Sequence, residues 1–440
     1  MTPKETIRNL VFPPAFGVFL ALAFLKFGNP AIMEGLVARP TNLWEWAINS
    51  WPASVGLMLL LPLTVVGICS WRWRSNAPTW LLLLPLVWLG WQLVSATQTV
   101  DKELSSTTVQ HFAACVSCFY LGYFALSKSH SARLFFYCLL TGFLIVIAIG
   151  WQQRWGGLEE TRQYFFTYLY PQMTQVSPEY LKKLSSKRIF STLFYPNALA
   201  GFLLLLLPLS LATVWQLGRR LTNMTRWVLV GLIGVTSLAC LAWSGSKAGW
   251  LLMLLLGVIT LLRQDLKKKC KGALIILLLI GGLAGFGIRY AGYFKKGAGS
   301  AAARLDYWHA ATKTALTHPI VGTGPGTFAI PYEQIKKPES EMTRLVHNDY
   351  LEQASDSGFA GLLSYTAFIA MTLWASFKKI WPKGRDNGFK FAVLLGLMGW
   401  ALQGCTEFGL YIPALSWVAF ALLGWILASG NGFDSESETH

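Results

Sequence analysis

Charge is what this 440-residue chain has least of. Asp, Glu, Lys and Arg together make up 13% of it, about half the share of a soluble domain. Acidic residues are the scarcer kind, 21 against 37 basic ones. With 54% hydrophobic residues, a single soluble core would leave far too much apolar surface in water. That leaves an all-α polytopic membrane protein, because irregular chain and open sheets cannot cross lipid unsatisfied. Metal motifs are missing: there is no H-E-x-x-H, no second C-x-x-C and no D-x-D-type pair in a long loop. No cofactor fingerprint is present either. The glycines of Gly322-Thr323-Gly324-Pro325-Gly326 lack the spacing and the strand–helix context of a dinucleotide site. There is no internal repeat of the kind many transporters carry. The first apolar run, from about Val11, lacks a small-residue cleavage site and reads as a retained span rather than a signal peptide.

What is present is a series of apolar runs of membrane length. About twelve candidate spans lie at 11–27, 50–70, 78–96, 108–127, 133–152, 196–216, 226–243, 247–262, 273–291, 357–377, 388–406 and 408–428. With the N-terminus inside, the inner connections carry Lys4/Arg8, Arg72/Arg74, Lys128/Arg133, Arg219/Arg220/Arg226, the 263–271 run and the 378–390 run. The short outer connections carry almost no positive charge, a consistent positive-inside pattern that places both termini inside. The expected organisation is five spans in 1–152, an outer loop at 153–195, four spans in 196–291, a main outer loop at 292–356, three spans in 357–428 and a cytoplasmic tail at 429–440. The seven cysteines (69, 115, 118, 138, 240, 270 and 405) avoid the long outer loops, which argues against a disulfide framework. The net charge of +16 would suggest nucleic acid in a soluble protein. Here it reads as orientation, and as attraction to phosphate-bearing or acidic ligands.

The 289–358 stretch holds eight of the 37 Lys and Arg residues and three of the six histidines. A polar segment hung between spans is a poor place for a structural core and a good place for a site. In it, Arg304, Tyr307, Trp308 and Ala311 share one face of a helix expected at 301–317. That face fits a pyrophosphate or sugar contact, and equally a helix lying on the bilayer. His347 stands just before a helix start capped by Asn348 or Asp349. Imidazole is the side chain best suited to proton transfer near neutral pH, and basic neighbours would keep it neutral, as a general base requires; the alternative reading of a lone histidine is a structural one. The glycine-rich turn at 322–326 reads as loop-ordering, with an anion nest as the minority reading. Lys182, Lys183, Lys295, Lys296, Lys336 and Lys337 read as solubilising loop charges.

Outside that stretch, Arg188 lies eight residues before Pro196-Asn197, beside an expected helix N-terminus. The setting suits a phosphate, and equally an ordinary lipid headgroup. Lys247, in the turn Ser244-Gly245-Ser246-Lys247, either lines a cavity or snorkels to the surface. Glu407, between the last two spans, is a weak candidate for pairing with an outer Arg or Lys.

Four stretches, RIFSTLFYPNALAGFL, WSGSKAGW, RLDYWHAATKTALTHPIVGTGPGTF and RLVHNDYLEQASDSGFAGLL, resemble the O-antigen ligase and O-antigen polymerase superfamily of bacterial membrane glycosyltransferases. The resemblance implies about twelve helices with a large periplasmic loop capping the bundle, in the inner membrane. It implies transfer of a glycan from undecaprenyl pyrophosphate to lipid A–core or a related acceptor, without metal or cofactor. By position, Arg188 and Arg304 would bind the donor pyrophosphate and His347 would activate the acceptor hydroxyl. Asn348, Tyr307 and Lys247 would border the substrate. Lys247 stands where the family often has Arg, which keeps the charge and loses the bidentate fork. A polymerase and a protein O-oligosaccharyltransferase are the rivals within the class. A transporter of an anionic solute is the rival outside it, and would call for charges buried in mid-span.

Overall fold

The computed structural model describes residues 3–37, 39–71, 75, 77–170, 185–193, 195–217, 221–295, 298–382 and 387–428. Arg72, Arg74, Lys182, Lys183, Arg219, Arg220, Lys296, Lys383, Arg385 and the 429–440 tail lie outside the described residues. The described chain is all-helical, with no strand among these residues. The long helices are α1 (Phe12–Lys26), α2 (Ala53–Cys69), α3 (Thr79–Ala96), α4 (Lys102–Tyr120), α5 (Ala132–Gln152), α6 (Pro196–Leu217) and α7 (Asn223–Ser244). They continue with α8 (Lys247–Arg263), α9 (Lys268–Lys295), α10 (Gly299–Thr317), the short α11 (Ala329–Ile335), α12 (Asp349–Ile380), α13 (Asn387–Gln403) and α14 (Pro413–Ala428).

Eight helical segments are long and apolar enough to cross a membrane: Ile7–Lys26, Thr79–Ala96, Lys102–Lys128, Ala132–Thr167, Pro196–Leu217, Asn223–Ser244, Lys268–Lys295 and Asp349–Ile380. α2 and α14 are shorter apolar helices. Helices α8 and α13 occupy the other two expected positions with 17 residues each. The sequence-expected loop at 153–195 opens with further helical turns as far as 169.

α14 is the centre of the bundle, and all 16 of its residues are buried. It packs along α4 and the turns after it, where glycine lets the backbones meet. A Cβ on Gly424 would stand 1.9 Å from the Phe119 carbonyl oxygen, so a side chain there would force the helices apart. Around this centre α1 pairs with α5, α6 with α13, and α3 with α12. α9 is peripheral: its most apolar window has no buried residue. Such a face is stable only against lipid or another apolar surface.

The main loop is folded, which corrects the expectation that a polar insert would lack a core. Tyr307, Ala310 and Ala311 of α10 pack with Phe328, Tyr332 and Val346 into a small apolar cluster of their own. α12 then staples this cap to the bundle. Its first turns, Asp349 to Gly358, are buried except for Tyr350 and Leu351, yet they carry three carboxyl groups, each with a backbone N–H to hold. Asp349 accepts from Leu410 N at 3.1 Å, Glu352 from Val346 N at 3.1 Å, and Asp356 from Gly326 N at 2.7 Å. Such groups stay buried because they are hydrogen-bonded. Thr323 N and Gly324 N likewise donate to the Ser355 and Asp356 carbonyls. The glycine turn therefore spends these N–H groups inside the protein, and it is a clasp. At Gly358, φ is +68° and a Cβ would meet the Ile320 carbonyl oxygen at 2.1 Å. Only glycine passes there.

Candidate active site

Four separated segments meet at the end of the bundle where the cap sits, and a buried carboxylate joins them. Glu407 lies between α13 and α14 and is 3% exposed. Its Oε1 accepts from Arg304 Nη2, and from Asn197 Nδ2 at 2.6 Å. Its Oε2 accepts from the Tyr195 hydroxyl at 2.5 Å and faces His347 Nδ1 at 3.1 Å. Burial alone would raise the carboxyl pKa. The His347 hydrogen bond, the charges of His347 and Arg304 and the Tyr195 hydroxyl outweigh it and hold the group below its ordinary value. Glu407 is thus a carboxylate at neutral pH. The Tyr195 hydroxyl is pushed up, first by burial and then by Glu407, and stays a donor.

Both sequence-expected arginines are fixed by backbone and side-chain acceptors. Arg188 donates from Nε to the Ser244 carbonyl at 2.6 Å and from Nη2 to Asn197 Oδ1 at 2.7 Å. Burial lowers its pKa, and Glu407 opposes this; a guanidinium stays protonated regardless. Arg304, one turn into α10, donates from Nε to the Thr406 carbonyl at 3.1 Å. Asn197 does not spend its side chain capping α6. Its amide bridges Arg188 to Glu407.

His347 is held by shape as well as by charge. Tyr307 stacks on the imidazole at 5.9 Å and 25°, while Phe408 meets its edge at 4.7 Å. Its backbone sits at φ +56°, a left-handed conformation that histidine adopts more readily than most residues but that still stores strain. Asn348 caps α12, its Oδ1 accepting from Tyr350 N and Leu351 N at 3.1 Å. The charge nearest the imidazole is therefore Glu407, negative where the sequence suggested basic neighbours alone. An ionised carboxylate only accepts, so Nδ1 is the nitrogen that carries the proton. In the neutral ring Nε2 then holds the lone pair, and among the described residues no hydrogen bond to Nε2 occurs. Lys247 borders this knot, near enough to feel the charges of Arg188 and Arg304, with its ammonium 3.7 Å from the centroid of the Tyr293 ring and 5.2 Å from that of Tyr290.

The structure thus joins Arg188, Arg304, His347 and Tyr307 in one cluster and gives Asn348 a capping role. Sequence reading undervalued Glu407 and missed Tyr195 and Asn197 as its partners. The available signal was a lone acid in a tight turn between two apolar runs.

The arrangement can take a proton at Nε2 and hold the resulting imidazolium against Glu407. Beside it stand two guanidinium groups with N–H donors to spare. No curated protein matches the chain. Residues 232–366 match the model of the O-antigen ligase family, a stretch that contains Lys247, Arg304, Tyr307, His347 and Asn348 and excludes Arg188 and Glu407. That stretch is similar to the O-antigen ligase family, and the match supports the resemblance to the O-antigen ligase and polymerase superfamily.

Proposed function

We propose that the chain is a ligase-type glycosyltransferase. It would move a glycan from a polyprenyl (undecaprenyl) pyrophosphate to lipid A–core or a related acceptor at the periplasmic face of the inner membrane. The observation that carries this reading is the pairing of His347 with buried Glu407 beside Arg188 and Arg304.

In the proposed step the acceptor hydroxyl gives its proton to His347 Nε2 as its oxygen attacks the anomeric carbon. The bond from that carbon to the pyrophosphate oxygen breaks, and the leaving lipid pyrophosphate keeps the electron pair. Arg188 and Arg304 offset the negative charge that develops there, already oriented by their protein acceptors. Glu407 stabilises the imidazolium and fixes the tautomer that makes Nε2 the base. A single displacement inverts the anomeric configuration. In this proposal the two guanidinium groups supply the positive charge that offsets the leaving group.

Deleting the gene and examining surface polysaccharide tests the assignment. Loss of long chains with carrier-linked polymer accumulating is the expected result. Accumulation of single repeat units would make the protein a polymerase. Unchanged glycans would remove the transferase reading.

A further inference from the structure

A second basic cluster lies on the same end of the bundle and takes no part in the step above. Arg154, Lys187, Trp243 and Arg289 line a cleft of about 330 Å³. The residues come from four places: the turn after α5, the segment leading to Arg188, the end of α7 and the last turns of α9. Arg154 lies against the Trp243 ring, 5.7 Å from its centroid, and Arg289 Nη2 donates to the Ala242 carbonyl at 3.0 Å. The cleft adjoins the reaction centre through the chain itself. Ile189 N donates to the Trp243 carbonyl at 3.4 Å, and Arg188, between Lys187 and Ile189, turns to Ser244.

The charge balance differs from that of the centre. Arg304 is paired with Glu407. Among the described residues, none of Arg154, Lys187 and Arg289 forms an ion pair. Three like charges gathered without a counter-charge repel one another and favour an anion. The anion's type follows from depth and surroundings. Trp243 is the penultimate residue of a candidate span, Arg289 lies near the end of another, and Arg154 stands two residues past the end of α5. That is where a bilayer holds its phosphates and where indole rings gather. Below the cleft run α7 and α9. Only 22% of the apolar window of α7 is buried, and none of that of α9.

We infer that the Arg154–Lys187–Arg289 cleft binds the phosphate headgroup of a membrane-anchored lipid, whose tail lies along the open faces of α7 and α9. This site is separate from the Glu407 cluster and does not depend on the role of His347. Guanidinium forks take phosphate oxygens in pairs, and the ammonium of Lys187 adds a point charge.

The test uses the full chain in phosphatidylcholine nanodiscs. Three probes are titrated: a short-chain prenyl diphosphate, phosphatidylglycerol and inorganic phosphate. Wild type is expected to prefer a lipid phosphate to inorganic phosphate. The triple variant R154Q/K187Q/R289Q is expected to lose at least tenfold in affinity for that lipid. A preference for the prenyl diphosphate that is lost in the triple variant, in which Arg188 and Arg304 are intact, identifies the carrier lipid as the source, and a preference for phosphatidylglycerol lost in the same way identifies the bilayer; either supports a lipid-phosphate site. Unchanged affinity in the triple variant overturns the inference, as does inorganic phosphate binding as tightly as either lipid. Should the triple variant fail to fold, K187Q and R289Q singly are each expected to weaken lipid binding, and unchanged binding in both overturns it. His347→Ala is expected to bind the lipid as wild type does, so a failure of the transferase reading leaves this result distinct.

Discussion

Glu407 and His347 are 60 residues apart in sequence and 3.1 Å apart in space. The helix between them, α12, fixes both ends of that contact. Its capping residue follows His347 directly, and Asp349 N donates to the Gly404 carbonyl at 2.7 Å, three residues before Glu407. The pairing is a product of the buried polar turns of α12, not of the flexible reach of two side chains.

Glu407→Gln keeps the shape and removes the charge. The one amide oxygen is claimed by the Arg304 and Asn197 donors, so the amide NH2 faces the imidazole and no longer selects the tautomer protonated at Nδ1. Turnover is expected to fall by on the order of 10²–10⁴, with little change in the KM for donor. In the double variant with His347→Ala the losses are expected not to add, because the pair acts as a unit. Steady-state kinetics on purified, folded protein check this. A variant with lowered melting temperature and full turnover would reduce Glu407 to a structural role.

The same carboxylate makes stability depend on acid. Its pKa in the folded protein lies below the ordinary 4.5, so the unfolded chain binds the proton more tightly. Its contribution is complete above 4.5 and is lost as pH falls through the folded value. The melting temperature of wild type is expected to exceed that of Glu407→Gln at neutral pH, and the gap to close below about pH 4.5. A gap that stays constant on acidification would contradict the ion-paired state of Glu407.

Arg188→Lys keeps the positive charge but not the fork. One ammonium cannot reproduce the Nε contact to Ser244 and the Nη2 contact to Asn197 in the same plane. Each charge-assisted hydrogen bond contributes about 1.5–3 kcal/mol, so kcat/KM for donor is expected to drop tenfold or more. A donor titration in a transfer assay reads the effect. Wild-type efficiency in Arg188→Lys would mean that only net charge matters there.

Arg188, Arg304 and His347 stood out in the sequence because charge and imidazole are costly beside apolar spans. The Asn348 cap was legible from its place before a helix start. Glu407 was not, because its partners come from three other segments and no local spacing brings them together. The polar face of Asp349, Glu352 and Asp356 was equally hidden. In sequence it resembles the solvated approach to a span, and only the packed cap shows each carboxyl holding backbone N–H groups. The basic cleft gathers Arg154, Lys187 and Arg289 from three unlinked segments, which in the sequence are three ordinary loop or helix-end charges.

His347 as the base is the central claim, and one measurement reaches it directly. Purified His347→Ala, in the same lipid as wild type and with matched melting temperature, is assayed for glycan transfer from polyprenyl-pyrophosphate-linked donor to acceptor. The expected result is no detectable transfer with donor binding preserved. Transfer at a rate near that of wild type would contradict it.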